Sequence, residues 1–465
     1  MKNIFLILFC STLVSIFPSC KKESFTNSPD ARLRISTDTL KFDTVFTSTG
    51  SITQSFKIVN ENEQQLRLSG IKLMGGTASA FKININGSAT TELTDIEIRA
   101  KDSIYVFVAV TINPSAVNMP FIISDSISIQ YNGNQRWVQL EAFGQNANFL
   151  RNEVITTNTT WTDSLPYVIL GSLLVAPDVT LSLDAGVKVY SHADAPFVVE
   201  GTLIGNGTEN NKIVFTGDRL DEPYKNFPAS WPGIFFRSSS KNNRLQFAEI
   251  KNAYQALVLL EPSGNANPKL TIEQSIIDNA FNAGIFGSNS SVLASNLLVS
   301  NCANNILLEK GGNYSFNHCT VASYSNNLIL HKTPVLSVAN FAASNPSPRD
   351  LQATFTNSIF WGDNGFVENE IVVNKLGNSI FDVKFLNCLY RAGVDPSNST
   401  QVNTIKNLDP VFDSIDVINR IYNFRHNSRG PAPGINKGQI TALSVDLDNK
   451  PRPVGLPDIG CYEKQ

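Results

Sequence analysis

"YSFNHCTVAS", residues 314–323, sets His318 beside Cys319, as a nucleophile with its base or one end of a metal clip would. Five further segments decide what it is: "NRLQFAEIKN" (243–252), "LTIEQSIIDN" (270–279), "VLASNLLVSN" (292–301), "ATFTNSIFWG" (353–362) and "VKFLNCLYRA" (383–392). Aligned on Asn252, Asn279, Asn301, Ser323, Gly362 and Ala392, their columns agree. Seven positions before the anchor stand Leu245, Ile272, Ala294, Phe316, Phe355 and Phe385, and two before it Ile250, Ile277, Val299, Val321, Phe360 and Tyr390. Four before it come mostly small residues, Ala248, Ser275, Leu297, Cys319, Ser358 and Cys388. Five before it come mostly amides or imidazole: Phe247, Gln274, Asn296, His318, Asn357 and Asn387.

The anchors lie 27, 22, 22, 39 and 30 residues apart, so one short coil recurs and the longer intervals hold inserted loops. One strand-turn-strand unit cannot bury its own apolar face, whereas stacked units can. The columns predict a right-handed parallel β-helix, in which like residues stack at about the 4.8 Å strand spacing and amides join in hydrogen-bonded ladders. His318 is then a rung between Asn296 and Asn357, and Cys319 belongs to the small-residue column. A Cys-His nucleophile would also need an orienting group and an oxyanion pocket, and the sequence marks neither.

Preceding coils are expected in "PYVILGSLLVAPDVTLSLDAGVKVYSHADAPFVVEGTLIGNGTENNKIVFTG" (166–217), with equivalent turns at Gly171 and Gly201 and with Val187, Val189, Val198 and Val214 in the core. "EVITTNTTW" (153–161) is expected to cover the first coil edge. Upstream, from Leu33 to about Asn148, short alternating runs such as "SFKIVN", "LRLSGIKLM" and "SIYVFVAVTI" are separated by turn residues and predict an antiparallel sandwich.

The balance of 37 basic against 40 acidic side chains leaves a net charge of −3, which excludes a field suited to nucleic acid. The first residues, "MKNIFLILFCSTLVSIFPSCKKE", have the layout of a secretory signal. Ser19-Cys20 resembles the lipobox of bacterial lipoproteins, in which the Cys carries the lipid. Cys302, Cys319, Cys388 and Cys461 remain after Cys10 and Cys20. Their spacing suits no metal, four Cys allow three pairings, and buried thiols are the preferred reading.

The stretch "FDTVFTSTGSITQSFKIVNENEQQLRLSGIKLMGG" (42–76) resembles immunoglobulin-like modules of bacterial surface proteins. "GTLIGNGTENNKIVFTGDRLDEPY", "SWPGIFF", "GGNYSFNHCTVASY", "NSIFW", "LDPVF" and the terminal "DLDNKPRPVGLPDIGCYE" resemble the pectin-lyase-like right-handed β-helix lipoproteins of the Bacteroidetes type. In the tail Asn436 and Cys461 stand where that family commonly has Asp and Ala. The resemblance implies an exported, outer-membrane-anchored chain: signal peptide 1–19, lipidated Cys20 and tether 20–31, immunoglobulin-like sandwich 32–148, β-helix 149–400, and C-terminal coils and cap 401–465. It implies no reaction, since the fold hosts polysaccharide lyases, glycosidases and adhesins alike.

The densest polar and aromatic set is the loop "GDRLDEPYKNFPASWPG" (217–233), with Asp218, Arg219, Asp221, Glu222, Tyr224, Lys225 and Trp231 as candidate glycan-binding residues. Structural pinning of the loop by its aromatic residues is the competing account. Asp446, Asp448, Asp458 and Glu463 are oxygen ligands of the kind Ca²⁺ takes, although their spacing suits a turn-rich cap better. Asp-Ser/Thr-apolar triplets at Thr39, Thr44, Ser103, Ser126, Ser164 and Ser414 resemble an O-glycosylation motif. The expectation is a non-catalytic surface for a polysaccharide, with a lyase or glycosidase as the alternative and an adhesin for a protein partner as a third.

Overall fold

Period-two alternation in the first 145 residues sends one side chain of each pair inward. In Ser103–Val110, Ile104, Val106, Val108 and Val110 face the core while Tyr105 and Phe107 face outward and stack at 5.7 Å. The computed structural model describes residues 24–46, 52–113, 121–344, 346–363, 365–427 and 430–465. It divides into two units, residues 1–145 and 146–465, so the first ends three residues before the expected boundary.

Unit one holds two five-stranded sheets around one apolar core. In the first, Leu33–Ile35, Gln54–Asn60, Ser103–Val110, Phe81–Ile85 and Ser88–Ala89 lie side by side; in the second, Thr39–Phe46, Asn134–Gln145, Phe121–Tyr131, Leu66–Leu73 and Glu92–Ile98 do. Pairing is antiparallel except that Thr39–Phe46 runs parallel to Asn134–Gln145, a departure from the expected all-antiparallel sandwich. Within the stretch expected as a tether, residues from Phe25 on are paired. Phe25 bridges to Gln65 and lies under the Arg67 guanidinium at 4.5 Å, so the chain is held from there on.

Unit two is built on a sheet of 24 described strands, from Asn148–Ile155 to Ile405–Lys406, in which strands pair in parallel with strands one to three further along the chain. The predicted columns are its register. Leu245 pairs with Ile272, Ile272 with Ala294, Ala294 with Phe316, Phe316 with Phe355 and Phe355 with Phe385. Ile250, Ile277, Val299, Val321, Phe360 and Tyr390 pair likewise. Phe316, Phe355 and Phe385 stack inside at 5.4 and 5.0 Å, and each such buried ring stabilises by roughly 2–3 kcal/mol.

Two expectations need correction. Val198 and Val214 are only half-buried. Phe197, Val199, Ile213 and Phe215 fill the core there, because a one-residue slip in a strand exchanges its faces. "EVITTNTTW" is itself part of the first coil, with Trp161 buried and stacked on Tyr167 at 4.1 Å. Past residue 400 parallel pairing runs on through Ile405–Lys406, before a hairpin of Phe412–Asp416 and Ile421–His426.

Turns out of the sheet are set by left-handed residues. Phe247, Gln274, Asn296, His318, Asn357 and Asn387 all have φ between 46° and 53°. Such a corner aims its side chain away from the strand ladder, and five of these six can bond there. The expected amide ladder forms only in part. Asn357 Nδ2 donates to His318 Nε2 at 2.8 Å, but Asn296, Asn357 and Asn387 also donate to the carbonyls of Val445, Gln439 and Lys437. The C-terminal segment therefore lies along this column, and Arg452 completes it with Nη1 on Asn296 at 3.0 Å and Nε on Glu463 at 3.0 Å, all wholly buried.

Two buried ionic features fix the insertions. Lys269, fully buried, donates to the carbonyls of Arg237, Ser238 and Leu260 at 2.7, 3.1 and 2.9 Å, and burial lowers its pKa to about 8. His331 Nε2 meets both Glu370 oxygens at 3.0 Å, and Arg391 Nη2 holds Glu370 Oε1 at 2.6 Å. Gly362 makes room for that cluster, since a Cβ there would sit 2.3 Å from both His331 Nε2 and Glu370 Oε1.

Candidate functional site

The 218–231 loop is braced by its own charges. Asp218 Oδ2 meets His192 Nδ1 at 2.7 Å, from the adjacent coil, and burial raises the Asp218 pKa against that contact. Arg219 forks onto Asp221 at 2.7 and 2.8 Å and lies 4.1 Å over the Tyr224 ring, while Lys225 pairs with Glu222. Tyr224 also contacts Phe227 edge-on at 5.2 Å and remains exposed. Trp231 is not a ligand-facing ring. It is 1% exposed, belongs to the coil core and donates Nε1–H to the Lys251 carbonyl at 2.8 Å.

The inner end of this loop meets a second column of corners. Asn252, Asn279 and Asn301 have φ of 62°, 59° and 50°, a conformation that Asn tolerates through local hydrogen bonding. Asn279 Nδ2 donates to Asn252 Oδ1 at 2.8 Å and to the Asn226 carbonyl at 3.0 Å, and Asn252 Nδ2 donates to the Lys225 carbonyl at 2.9 Å. Asn279 and Asn252 are thus linked amide to amide and fasten the loop to the coils, while Asn301 turns its Nδ2 to Asp278.

Beside the ladder Lys251 and Asp278 pair across adjacent strands. Asp278 Oδ1 accepts from Ser300 Oγ at 2.6 Å and Asn301 Nδ2 at 3.2 Å. Burial raises its pKa, opposed by the Ser300 bond and by Lys251. The far wall is the tail hairpin. Arg420 Nη1 reaches the Asn226 carbonyl at 3.3 Å, and Tyr422 packs on Phe424 and Tyr324 at 6.0 and 6.5 Å.

These parts enclose a groove of about 200 Å³ lined by Asn226, Lys251, Asn252, Asp278, Asn279, Asn301, Asn326, Asn419, Arg420 and Tyr422. Six of the ten are asparagines, whose amides both donate and accept as hydroxyl groups require. The ladder amides are committed to shaping the floor, and at the rim Asn419 Nδ2 is held by Asp416 at 2.8 Å and Lys251 Nζ by Glu249 at 2.7 Å, so the donors left over are the remaining N–H groups of Lys251 and Arg420. Asp278 is the single carboxylate among these lining residues. The column of Asn252, Asn279 and Asn301 was visible in the sequence as scaffold. Arg420 and Tyr422 carried no local mark, and only the hairpin's return onto the coils brings them in.

The other marked residues are accounted for by their neighbours. His318 is buried, and burial and then Arg452 depress its pKa to about 3. Burial pushes the Cys319 thiol up to about 12, so the pair holds a neutral imidazole beside a protonated thiol. Cys302, Cys319, Cys388 and Cys461 are all buried and unpaired as disulfides.

In the tail, Asp446 accepts from the N–H groups of Asp448, Lys450 and Glu463, Asp458 from Asn436 and Lys464, and Glu463 from Val454, Asp458 and Arg452. Asp448 takes the Arg425 fork at 2.7 and 2.6 Å. The oxygens proposed for Ca²⁺ thus face the chain's own donors. Ser164 and Ser414 are exposed, and Thr39, Thr44, Ser103 and Ser126 half-buried, while Cys20 lies outside the described residues.

No family model and no curated protein matches the chain. Among solved structures it is similar to a family 123 glycoside hydrolase from Clostridium perfringens, with 11% identity, 24% of this chain and 25% of that chain covered, and a TM-score of 0.17. It is similar to a protein of unknown function from Porphyromonas gingivalis, with 8% identity, coverages of 27% and 60%, and a TM-score of 0.19. It is also similar to a PapD-like domain of human CEP192, with 7% identity, coverages of 28% and 94%, and a TM-score of 0.18. The chain spans about a quarter of the length of the hydrolase, and likenesses at these scores fix neither fold nor reaction.

Proposed function

We propose that the chain is an envelope lipoprotein, anchored in the outer membrane through Cys20, in which an immunoglobulin-like module presents a right-handed parallel β-helix that binds a polysaccharide without cleaving it. The observation that carries the reading is the groove over the Asn252, Asn279 and Asn301 ladder, with its amide lining and its rim of Lys251, Asn419 and Arg420. Amides and cations hydrogen-bond sugar hydroxyls, and a rigid floor lowers the entropy lost on binding. Glycoside hydrolysis by the usual route uses two carboxyl groups flanking the bond. Asp278 is without a second one among the lining residues, which supports binding over hydrolysis.

A lyase is the second reading, and Lys251 with Arg420 favours it, because β-elimination needs a base, which an unprotonated Lys supplies, and a cation such as Arg to neutralise the uronate. Soluble protein beginning just after Cys20 would be incubated with neutral and acidic polysaccharides while reducing ends, unsaturated-uronide absorbance and retention on the immobilised glycan are followed. Retention without cleavage, weakened in Arg420→Ala, is the expected outcome. Cleavage of any glycan would replace binding with catalysis, and silence in both assays would leave the adhesin reading.

A further inference from the structure

Two residues beyond the ladder asparagines, two aromatic rings stand exposed on successive coils. Tyr254 is 44% and Phe281 49% exposed, and their rings stack at 5.8 Å with 28° between planes. The strand register carries the next coil through Ala303, whose N–H bonds the Ala280 carbonyl, so a methyl group follows where a third ring would continue the stack. The small Ala303 thus follows Phe281 as a shelf on the side away from Tyr254, with Thr333 Oγ1 donating to the Ala303 carbonyl at its edge.

Amides flank the shelf: Gln255 Nε2 donates to Asn282 Oδ1 at 3.3 Å, and Asn304 Nδ2 to the Asn282 carbonyl at 2.9 Å. Apolar rings exposed in pairs on a rigid sheet cost solvation, and their packing against each other covers only one face of each.

We propose that Tyr254 and Phe281 form a stacking platform for a neutral pyranose, resting on the reading of the adjoining groove as glycan-binding. The C–H face of the sugar lies on the Phe281 ring over Ala303, and its hydroxyls meet Gln255, Asn282 and Asn304. The sugar ring lies parallel to the Phe281 ring, so a 1,4-linked chain, which extends in the plane of its rings, crosses the coil axis and sets one residue on the platform. The platform's own polar groups are amides, which matches a neutral rather than a uronate sugar at this subsite.

The test uses the soluble chain with hexasaccharides of β-1,4-glucose, of β-1,4-mannose and of galacturonate as probes. Titration calorimetry gives affinity, and proton NMR gives the upfield shift of sugar C–H signals that an aromatic face produces. The expected result is binding of a neutral probe with shifted C–H signals, weakened roughly tenfold in Phe281→Ala and in Ala303→Trp, which fills the shelf, with melting temperatures unchanged. Neutral binding that both variants retain within about twofold and that Arg420→Ala weakens would overturn the platform and leave the groove. Binding of galacturonate alone would overturn the neutral class, and binding of none of the three would overturn the platform together with the glycan reading beneath it.

Discussion

Two columns of left-handed corners run along the same coils and meet opposite fates. The column of Gln274, Asn296, His318, Asn357 and Asn387 is covered by the C-terminal segment, and its amides are engaged by tail carbonyls and Arg452. The column of Asn252, Asn279 and Asn301 is also buried, at 7, 9 and 3% exposure, but it bonds the 218–231 loop at its edge and opens on a groove. The same residue chemistry at the same backbone angle thus holds the tail down in one column and, in the other, holds a loop beside a groove.

Breaking the covered column should cost most. Arg452→Ala leaves Glu463 buried without its guanidinium partner, and a loss of about 3–5 kcal/mol is expected, read as a lowered urea midpoint. Asn357→Ala removes bonds to His318 and to both the N–H and the carbonyl of Gln439, for about 2–3 kcal/mol. In the open column Asn279→Ala should cost about 1–2 kcal/mol and Asn279→Gly less, because glycine accepts the positive φ without strain. Equal losses in the two columns would erase the distinction.

Acid sharpens the contrast by sign. The folded pKa of His318, about 3, lies below its ordinary value of 6.5, so the unfolded chain binds the proton more readily. Stability attached to the covered column is present above pH 6.5 and falls by about 1.4 kcal/mol for each pH unit from there toward pH 3. His318→Asn should flatten that slope. The raised pKa of Asp278 works oppositely: the folded state holds its proton better, so stability is lost as pH rises from 3.8 through the folded value. Asp278→Asn should remove this dependence, measured as the difference in denaturation midpoint between pH 4 and pH 7.

The interior columns were legible in the sequence because each coil repeats the same inward residues, and Leu245 through Phe385 pair as the alignment requires. Strands lacking that cross-check were placed a residue out of phase, as at Val198 and Val214, since alternation alone does not name the buried face. The candidate site was half legible. Its asparagine column and loop were marked by composition, but Trp231, an aromatic in a charged loop, turned out to be core. Arg420 and the tail reach the coils only by long-range packing that leaves no local trace, and so did the Arg452 lock.

Lys269 carries one more consequence. With its ammonium held by three carbonyls, it is closed to amine-reactive reagents while the coil is shut, and opening that admits water removes the burial that lowers its pKa and leaves it to react as an ordinary lysine. The chain therefore contains its own breathing sensor, and the rate at which Lys269 is acylated under native conditions is a clock for local opening in the middle of the stack.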